Sequence, residues 1–145
     1  MKKFIFLLCM IMLFSKILDA QILKRKINQY KNGRQEGLWI MYSDSANQNK
    51  ESRGHYVNGK EKGKWKYYYE NGKLRKKEKF KVSGIRTKFY YETGKIKSKG
   101  IAKLEPEDSL MHYYFQGIWK YYNENGKLTS IVLYEKGQEV STVHY

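Results

Sequence analysis

The feature that most constrains the fold of this chain is a twelve-residue unit that occurs twice in the sequence. Residues 63–74 read GKWKYYYENGKL and residues 117–128 read GIWKYYNENGKL, with glycine, tryptophan and leucine in register. In both copies a short run of strand-favouring aromatic residues ends at Asn-Gly, which accepts the positive φ values of a tight two-residue turn. The unit therefore predicts a β-hairpin, with its turn at Asn71-Gly72 in the first copy and at Asn125-Gly126 in the second.

Two further repetitions extend this pattern over most of the chain. The phrase Tyr-x-Asn-Gly-x-x-x-Gly-x-Trp occurs at residues 30–39 and again at residues 56–65. A degenerate hairpin follows, in which Thr87 replaces tryptophan; because Thr93 fits a two-residue turn poorly, we expect a three-residue turn with left-handed Gly94. Such self-similarity indicates a repeat architecture, since one hairpin cannot bury its own apolar face and must stack on the next. We therefore predict an all-β fold of tandem antiparallel hairpins.

The amino-terminal segment is expected to lie outside this array. Lys2 and Lys3 precede an apolar run from Phe4 to Phe14, the pattern of a helical secretory signal peptide with cleavage near Ala20. An uncleaved membrane anchor is the alternative, although the run is shorter than the roughly 20 residues of a spanning helix. We expect a signal peptide at residues 1–20, one repeat domain at residues 21–145 without a transmembrane span, and an exported (periplasmic or secreted) mature protein.

The charge of the chain points to an anionic partner. The formal net charge is +15, and it stays at +13 once residues 1–20, with three lysines and one aspartate, are removed. A strongly basic balance favours binding to an anionic molecule or surface. Nucleic acid would suit basic residues interleaved with aromatic ones, but export disfavours it. The only cysteine, Cys9, lies in the predicted signal peptide, so the domain depends on packing and strand pairing rather than disulfides.

Two polar stretches are expected to form solvated loops. Residues 43–52 contain no apolar residue except Ala46. Residues 105–108 read EPED and include Pro106, the only proline of the chain. Calcium binding by this acidic cluster is the alternative, but the spaced ligands and the turn glycine of a calcium loop are missing.

No residue pattern in the sequence indicates catalysis. His55, His112 and His144 are isolated at long spacings, without the close histidine or cysteine pairs of metal sites. A nucleophile, base or metal in a concave site would be needed for an enzyme. We therefore expect a protein that is not an enzyme and that carries no cofactor or metal.

Pairing the strands around Asn71-Gly72 predicts a basic face on the sheet. Lys66 then lies opposite Lys77 and Tyr68 opposite Arg75, while Trp65, Tyr67 and Tyr69 lie on the other face and pack. The same register in the third unit brings Lys88 opposite Lys99 and Tyr90 opposite Lys97.

Opposed like charges have a cost for folding, so this face has two explanations. Solvated lysines can keep an open sheet soluble and its edges unpaired, or the face can bind an acidic partner. On the second explanation the predicted binding residues are Lys66, Tyr68, Arg75, Lys77, Lys88, Tyr90, Lys97, Lys120 and Tyr122.

The repeated phrases resemble MORN repeats, and specifically the variant found in bacterial exported proteins and in proteins labelled YwqK-family antitoxins. This resemblance covers most of residues 30–137 and implies one elongated twisted sheet, in which glycines mark the turns and aromatic residues supply the packing. The repeat positions that would carry these structural roles are Gly37, Trp39, Gly63, Trp65, Gly72, Gly94, Gly117, Trp119 and Gly126. Thr87 and the polar run after the first aromatic strand depart from the pattern.

These observations lead to one functional expectation and two alternatives. The expectation is an exported, non-enzymatic β-repeat module, for binding or scaffolding, that contacts an unidentified protein or an anionic envelope surface. An antitoxin or immunity protein of a toxin–antitoxin pair is the first alternative, suggested by the labels on similar repeats. A choline-binding cell-wall repeat module is the second, because such repeats share the Trp-to-Gly spacing; a charge of +13 would repel its quaternary ammonium ligand.

Overall fold

The computed structural model describes residues 26–107 and 110–145, and these residues form ten β-strands. The strands are β1 (Gln29–Lys31), β2 (Arg34–Tyr42), β3 (Lys50–Val57), β4 (Lys60–Tyr68), β5 (Leu74–Lys81), β6 (Gly84–Tyr90), β7 (Ile96–Glu107), β8 (Leu110–Tyr122), β9 (Leu128–Glu135) and β10 (Gln138–His144). The predicted signal peptide lies outside the described residues. Among those residues, none belongs to a helix with the length and hydrophobicity needed to span a membrane.

All ten strands form one open sheet in which each strand pairs with its neighbours in the sequence. The strand order runs from β1 to β10 without a crossover, and the ladder pairs are antiparallel throughout. The predicted all-β array of antiparallel hairpins is therefore confirmed.

Two kinds of tight turn recur among the described hairpins. At Asn58-Gly59 both residues have positive φ, 53° and 77°, as in a two-residue type I′ turn. In the β4–β5 turn only Gly72 is left-handed; its N–H donates to the Tyr69 carbonyl over 2.9 Å, and the Tyr69 N–H donates to the Lys73 carbonyl over 2.8 Å. This is a three-residue turn with a bulge, so the predicted two-residue turn at Asn71-Gly72 is wrong.

The same three-residue turn closes the other two hairpins of this kind. Gly94 and Gly126 are left-handed and make the corresponding backbone hydrogen bonds. The prediction for Gly94 is confirmed, whereas the two-residue turn at Asn125-Gly126 is wrong. A type I turn followed by a left-handed glycine needs only one residue with positive φ, which explains why Thr93 is accepted beside Gly94.

The extra turn residue changes the strand register close to the turn and leaves it unchanged farther away. Lys66 pairs with Lys77 as predicted. Tyr68 pairs with Leu74 instead of Arg75, because Arg75 occupies the bulge.

The β6–β7 hairpin repeats this outcome. Lys88 pairs with Lys99 as predicted, and Tyr90 pairs with Ile96 instead of Lys97. Both wrong pairs follow from the one residue that the turn adds.

The Gly-x-Trp phrases of β4 and β8 each insert a bulge that lays an indole ring over the preceding strand. Opposite Gly54 the β3–β4 register skips from Lys66 to Lys62, and the Trp65 ring covers Gly54. A Cβ atom on Gly54 would lie 2.0 Å from the Trp65 ring, so no larger residue fits there. The Trp65 indole N–H donates to the His55 carbonyl over 3.2 Å. Trp119 covers Gly100 in the same way.

The face that carries the tryptophan rings, which we call the packed face, holds the core. One cluster is built on Trp39, Tyr56 and Trp65. A second cluster is built on Ile85, Ala102 and Trp119. Side chains alternate along each strand, so the residues between these point to the opposite, open face.

Between the two clusters the pattern changes on two adjacent strands, β5 and β6. Thr87, which replaces tryptophan, lies opposite Glu78, which stands where the other units have Gly54 and Gly100. Glu78 and Thr87 are each 1% exposed. The β5–β6 ladder has no bulge, because Thr87 has no indole ring to place over the preceding strand. A Glu–Thr pair therefore replaces the Gly–Trp pair here.

The β7–β8 hairpin is longer than the others, and its additional residues cover the Glu78–Thr87 pair. Gly94 and Gly126 are 32 residues apart, whereas Gly72 and Gly94 are 22 apart. The ten additional residues extend β7 and β8 beyond their neighbours, and the Tyr113 hydroxyl of this extension donates to Glu78 Oε1 over 2.7 Å. Phe115 stacks on Trp119 with ring centroids 3.7 Å apart.

Both polar stretches contain less loop than the sequence suggests. The first loop covers residues 43–49, where the Asp44 carboxylate accepts the N–H groups of Gln48 and Asn49; Ser52 is 2% exposed in β3. In the second, Glu105 and Pro106 belong to β7, so the predicted loop there is wrong. The β6–β7 ladder ends at Ala102, which makes β7 an edge strand at Pro106, and edge strands accept proline.

Candidate functional site

Six cationic side chains form a single row across the open face. Consecutive members are direct cross-strand partners on β3 to β8. We call this the basic row; in order it contains Arg53, Lys66, Lys77, Lys88, Lys99 and Lys120. Ile40 and Ile131 pair with its two ends.

The row results from the alternation of side chains on strands that share one register. Lys77 lies between Lys76 and Glu78, whose side chains meet on the packed face, so Lys77 points to the open face. Neighbouring strands lie roughly 4.8 Å apart, so the row extends over about 24 Å. Like charges directly opposed on a sheet destabilise it by a few tenths of a kcal/mol for each pair. The chain thus maintains an arrangement that has a cost for folding.

No carboxylate of the chain neutralises this row in the described parts. Across residues 26–107 and 110–145 the one ion pair joins Lys76 Nζ to Glu78 Oε1 over 3.2 Å, on the packed face. Lys66, Lys88 and Lys120 are exposed, and the other members are half-buried. The positive charge of the row is therefore available to an external anion.

A second, shorter row increases the positive charge of the open face. Lys64 pairs with Lys79, and Lys79 pairs with Arg86. With Lys77, Lys88 and Glu78 these residues line a shallow depression at the centre of the face. Five cations thus converge on one small area.

Three tyrosines border the basic row on alternate strands. Tyr68, Tyr90 and Tyr122 each lie two residues after a lysine of the row, on the same face. All three are half-buried, and burial raises the pKa of Tyr90 above its ordinary value. Lys99 Nζ lies 5.1 Å from the centroid of the Tyr122 ring, a cation–π contact that links Tyr122 to the row.

Arg75 and Lys97 lie beside this face, but they do not pair with Tyr68 and Tyr90 as predicted. Both residues are exposed at the bulges next to the three-residue turns. Arg75 lines a cleft together with Tyr68. Lys97 Nζ lies 5.7 Å from the centroid of the Tyr91 ring.

Sequence reasoning missed several members of the site. Lys99 was available from its predicted pairing with Lys88, but it was not included in the predicted face. Arg53 could not be placed, because the bulge opposite Gly54 shifts the β3–β4 register. Lys79 could have been assigned to this face from the alternation of side chains along its strand. Lys64 and Arg86 could be assigned to it only from the observed strand pairing.

The packed face contains a buried polar cluster that serves the fold. Thr87 Oγ1 lies 3.4 Å from Glu78 Oε1 and 3.2 Å from the Tyr113 hydroxyl. Burial, with the Glu78 carboxylate nearby, raises the pKa of Tyr113 well above its ordinary value. The Tyr113 hydroxyl therefore stays protonated and donates a hydrogen bond to Glu78. Lys76 pairs with Glu78 and lies over the ring of Tyr67, 4.0 Å from its centroid. The charge of Glu78 is compensated internally.

The histidines do not gather into a site. His55 lies on β3, His112 on the β7–β8 extension and His144 on β10. Within the described ranges no group of three or more His, Cys, Asp or Glu side chains is placed to hold a metal ion.

Comparison with protein families identifies the repeats. The model of the MORN repeat variant matches residues 61–81, 85–103 and 115–136. These matches begin in β4 and end in the β9–β10 turn, so they cover the region that carries most of the basic row. Neither the curated proteins nor the solved structures give a significant match. MORN repeats are generally associated with binding or scaffold roles and are typically non-catalytic.

Proposed function

This chain is a protein of MORN repeats of the variant type, and on that premise we propose that it is an exported, non-enzymatic binding module. Its open face binds an anionic partner, either a protein or a surface of the cell envelope. The signal peptide expected at residues 1–20 supports export.

The observation that carries this proposal is the basic row. Six cations stand next to one another on adjacent strands without an acidic residue between them. Surfaces that only keep a sheet soluble mix charges of both signs, which avoids the cost of opposed like charges. An anionic partner would remove this repulsion, so the loss of repulsion between the cations would favour binding.

The proposal is tested with a triple variant in the middle of the row, Lys66→Ser, Lys77→Ser and Lys88→Ser. We expect the variant to keep its fold, with an unchanged or slightly higher melting temperature, because opposed like charges are removed. Capture of partners from envelope extracts should weaken, and the difference from the parent should shrink as salt screens the charges.

A matched control removes the same charge elsewhere. Lys73, Lys95 and Lys127 are exposed and follow the left-handed glycine in the three similar turns. The control triple, with serine at these positions, should capture partners almost as well as the parent. If the two triple variants behave alike, or if the row variant binds as well as the parent at low salt, the open face is not the binding site.

A further inference from the structure

We propose that the partner of the open face is a linear acidic polysaccharide, a glycan that carries a negative charge on successive sugars. This inference rests on the proposed function and names the chemical class that the same face binds. It follows from the shape of the row, from the path that the row takes and from the tyrosines beside it.

The row is one cation wide and six cations long on its own line of the sheet. Its members are spaced by the distance between strands, roughly 4.8 Å, which is similar to the length of one sugar ring in an extended glycan. A linear polymer that crosses the strands at right angles can therefore place one charged group near each cation. The second row of Lys64, Lys79 and Arg86 borders the middle of this path.

The twist of a sheet favours a flexible chain over a flat surface. Adjacent strands turn by roughly 20 to 25° relative to one another, so the face turns by about 100 to 125° across the five steps of the row. A plane, such as a lipid bilayer, touches only part of a row that turns in this way. A polymer with rotatable linkages can follow the row from Arg53 to Lys120.

The three tyrosines supply a contact that suits sugars. Tyr68, Tyr90 and Tyr122 lie on every second strand, roughly 9.6 Å apart, and therefore recur once for every two cations. An aromatic ring offers an apolar face to the C–H groups of a sugar and a hydroxyl to its polar groups. A run of aspartate and glutamate residues would use the cations but has no rings to place over the tyrosines.

The first experiment measures binding of the full chain to oligogalacturonates of increasing length, with titration calorimetry at low salt. We expect the affinity to rise with length and to level off at about six sugars, when the oligomer spans the row. The row triple variant should bind about tenfold more weakly. The turn-lysine control triple should lose less than about threefold, because exposed charges off the path contribute little.

The second experiment asks whether the tyrosines recognise sugar. Tyr90→Ala should weaken oligogalacturonate binding about threefold or more and leave binding of polyglutamate of equal charge unchanged. Tyr145→Ala is the control, because Tyr145 is exposed at the far edge of the sheet. Thermal melts of both variants establish that the fold is kept.

Each outcome separates this inference from the proposed function. Polyglutamate binding that equals oligogalacturonate binding, with no effect of Tyr90→Ala, would identify an acidic protein as partner and overturn the inference alone. Preferential binding to vesicles of phosphatidylglycerol and phosphatidylcholine would do the same in favour of a membrane. Failure of every anionic probe to bind would contradict the proposed function as well.

Discussion

At the scale of single residues, the packing of this sheet depends on pairs of a large and a minimal side chain. Trp65 lies on Gly54 and Trp119 lies on Gly100, and each indole N–H reaches the carbonyl that follows the glycine. The tryptophans were recognisable as repeat positions in the sequence. Their glycine partners were not, because they belong to the preceding strand and are found only through the register.

The Gly100–Trp119 pair gives the first prediction. A Cβ atom on residue 100 would lie 2.4 Å from the Trp119 ring, so Gly100→Ala should destabilise the protein by about 1 to 3 kcal/mol through overpacking. Denaturant unfolding measures this change. In the Trp119→Leu background the same substitution should cost less, because the smaller side chain leaves room. Equal costs in both backgrounds would contradict the close packing of these two residues.

The buried Glu78–Thr87 pair gives the second prediction. Tyr113→Phe removes the hydroxyl that donates to Glu78, so it should lower the free energy of unfolding by about 1.5 to 3 kcal/mol, the range for a hydrogen bond to a charged group. Tyr114→Phe is the neighbouring control, since Tyr114 bonds to Glu105 at the surface. Its melting temperature should stay that of the parent. A smaller effect at Tyr113 than at Tyr114 would mean that the cluster does not hold the extension.

At the scale of elements, the hairpins and the three-residue turn at Gly94 were predictable from the sequence, but the type of the Asn-Gly turns was not. Asn-Gly is compatible with a two-residue turn and with the end of a three-residue turn, and both types occur in this sheet. Asn58-Gly59 forms the first type and Asn71-Gly72 the second. A side chain helps to select the second type in the last hairpin, where the Asn123 carboxamide accepts the N–H groups of Asn125 and Lys127. Such a choice depends on local hydrogen bonds rather than on hydrophobic pattern.

The three-residue turn gives a prediction for the last hairpin. Gly126 has φ of 85°, where a β-branched residue is strained, so Gly126→Val should cost more than about 1 kcal/mol. Glu124→Val changes an exposed residue of the same turn that has no positive φ and should change stability less. Melting curves of the two variants measure this difference in stability. Equal melting temperatures would show that left-handed Gly126 is not required.

The β7–β8 extension is the element that was not predicted from the sequence. Its ten additional residues were visible as a longer interval between repeats, but the acidic cluster with Pro106 suggested a loop. The segment forms strand because β8 supplies partners for it, and because β7 is an edge strand at Pro106. Pairing with β8 thus overrides the local preference of this segment for a loop. The sequence of the segment alone does not indicate such pairing.

At the scale of the whole molecule, the basic row exists because the registers of six strands agree. All five of its lysines were predictable. Lys66 with Lys77, and Lys88 with Lys99, follow from the turns, since the register away from each turn is unaffected by the bulge. Lys120 follows from its equivalent position in the fourth unit. Arg53 could not be added from the sequence, because the Gly-x-Trp bulge opposite Gly54 shifts the β3–β4 pairing. The site was thus predictable where the ladders are regular and not where they are interrupted.

Export gives the prediction that concerns the whole chain. The mature protein should begin at or near Gln21 and lie outside the cytoplasm, because residues 1–20 have the pattern of a signal peptide. Mass spectrometry of fractionated cells measures both the terminus and the compartment. Recovery of the full-length chain from the cytosol would contradict this prediction.

The exchange of Gly–Trp for Glu–Thr in the third unit limits how such an array can change by duplication. A unit with its own glycine and tryptophan brings both halves of its packing pair, so a copy can be added or lost at an end of the sheet. The third unit instead depends on Tyr113, which the following hairpin supplies. Recombination between the second and third units, at Gly72 and Gly94, would instead remove Glu78 and Thr87 together and leave the Tyr113 hydroxyl without these two partners. We therefore expect the centre of the array to change only as one block, whereas units with their own glycine and tryptophan can be exchanged singly.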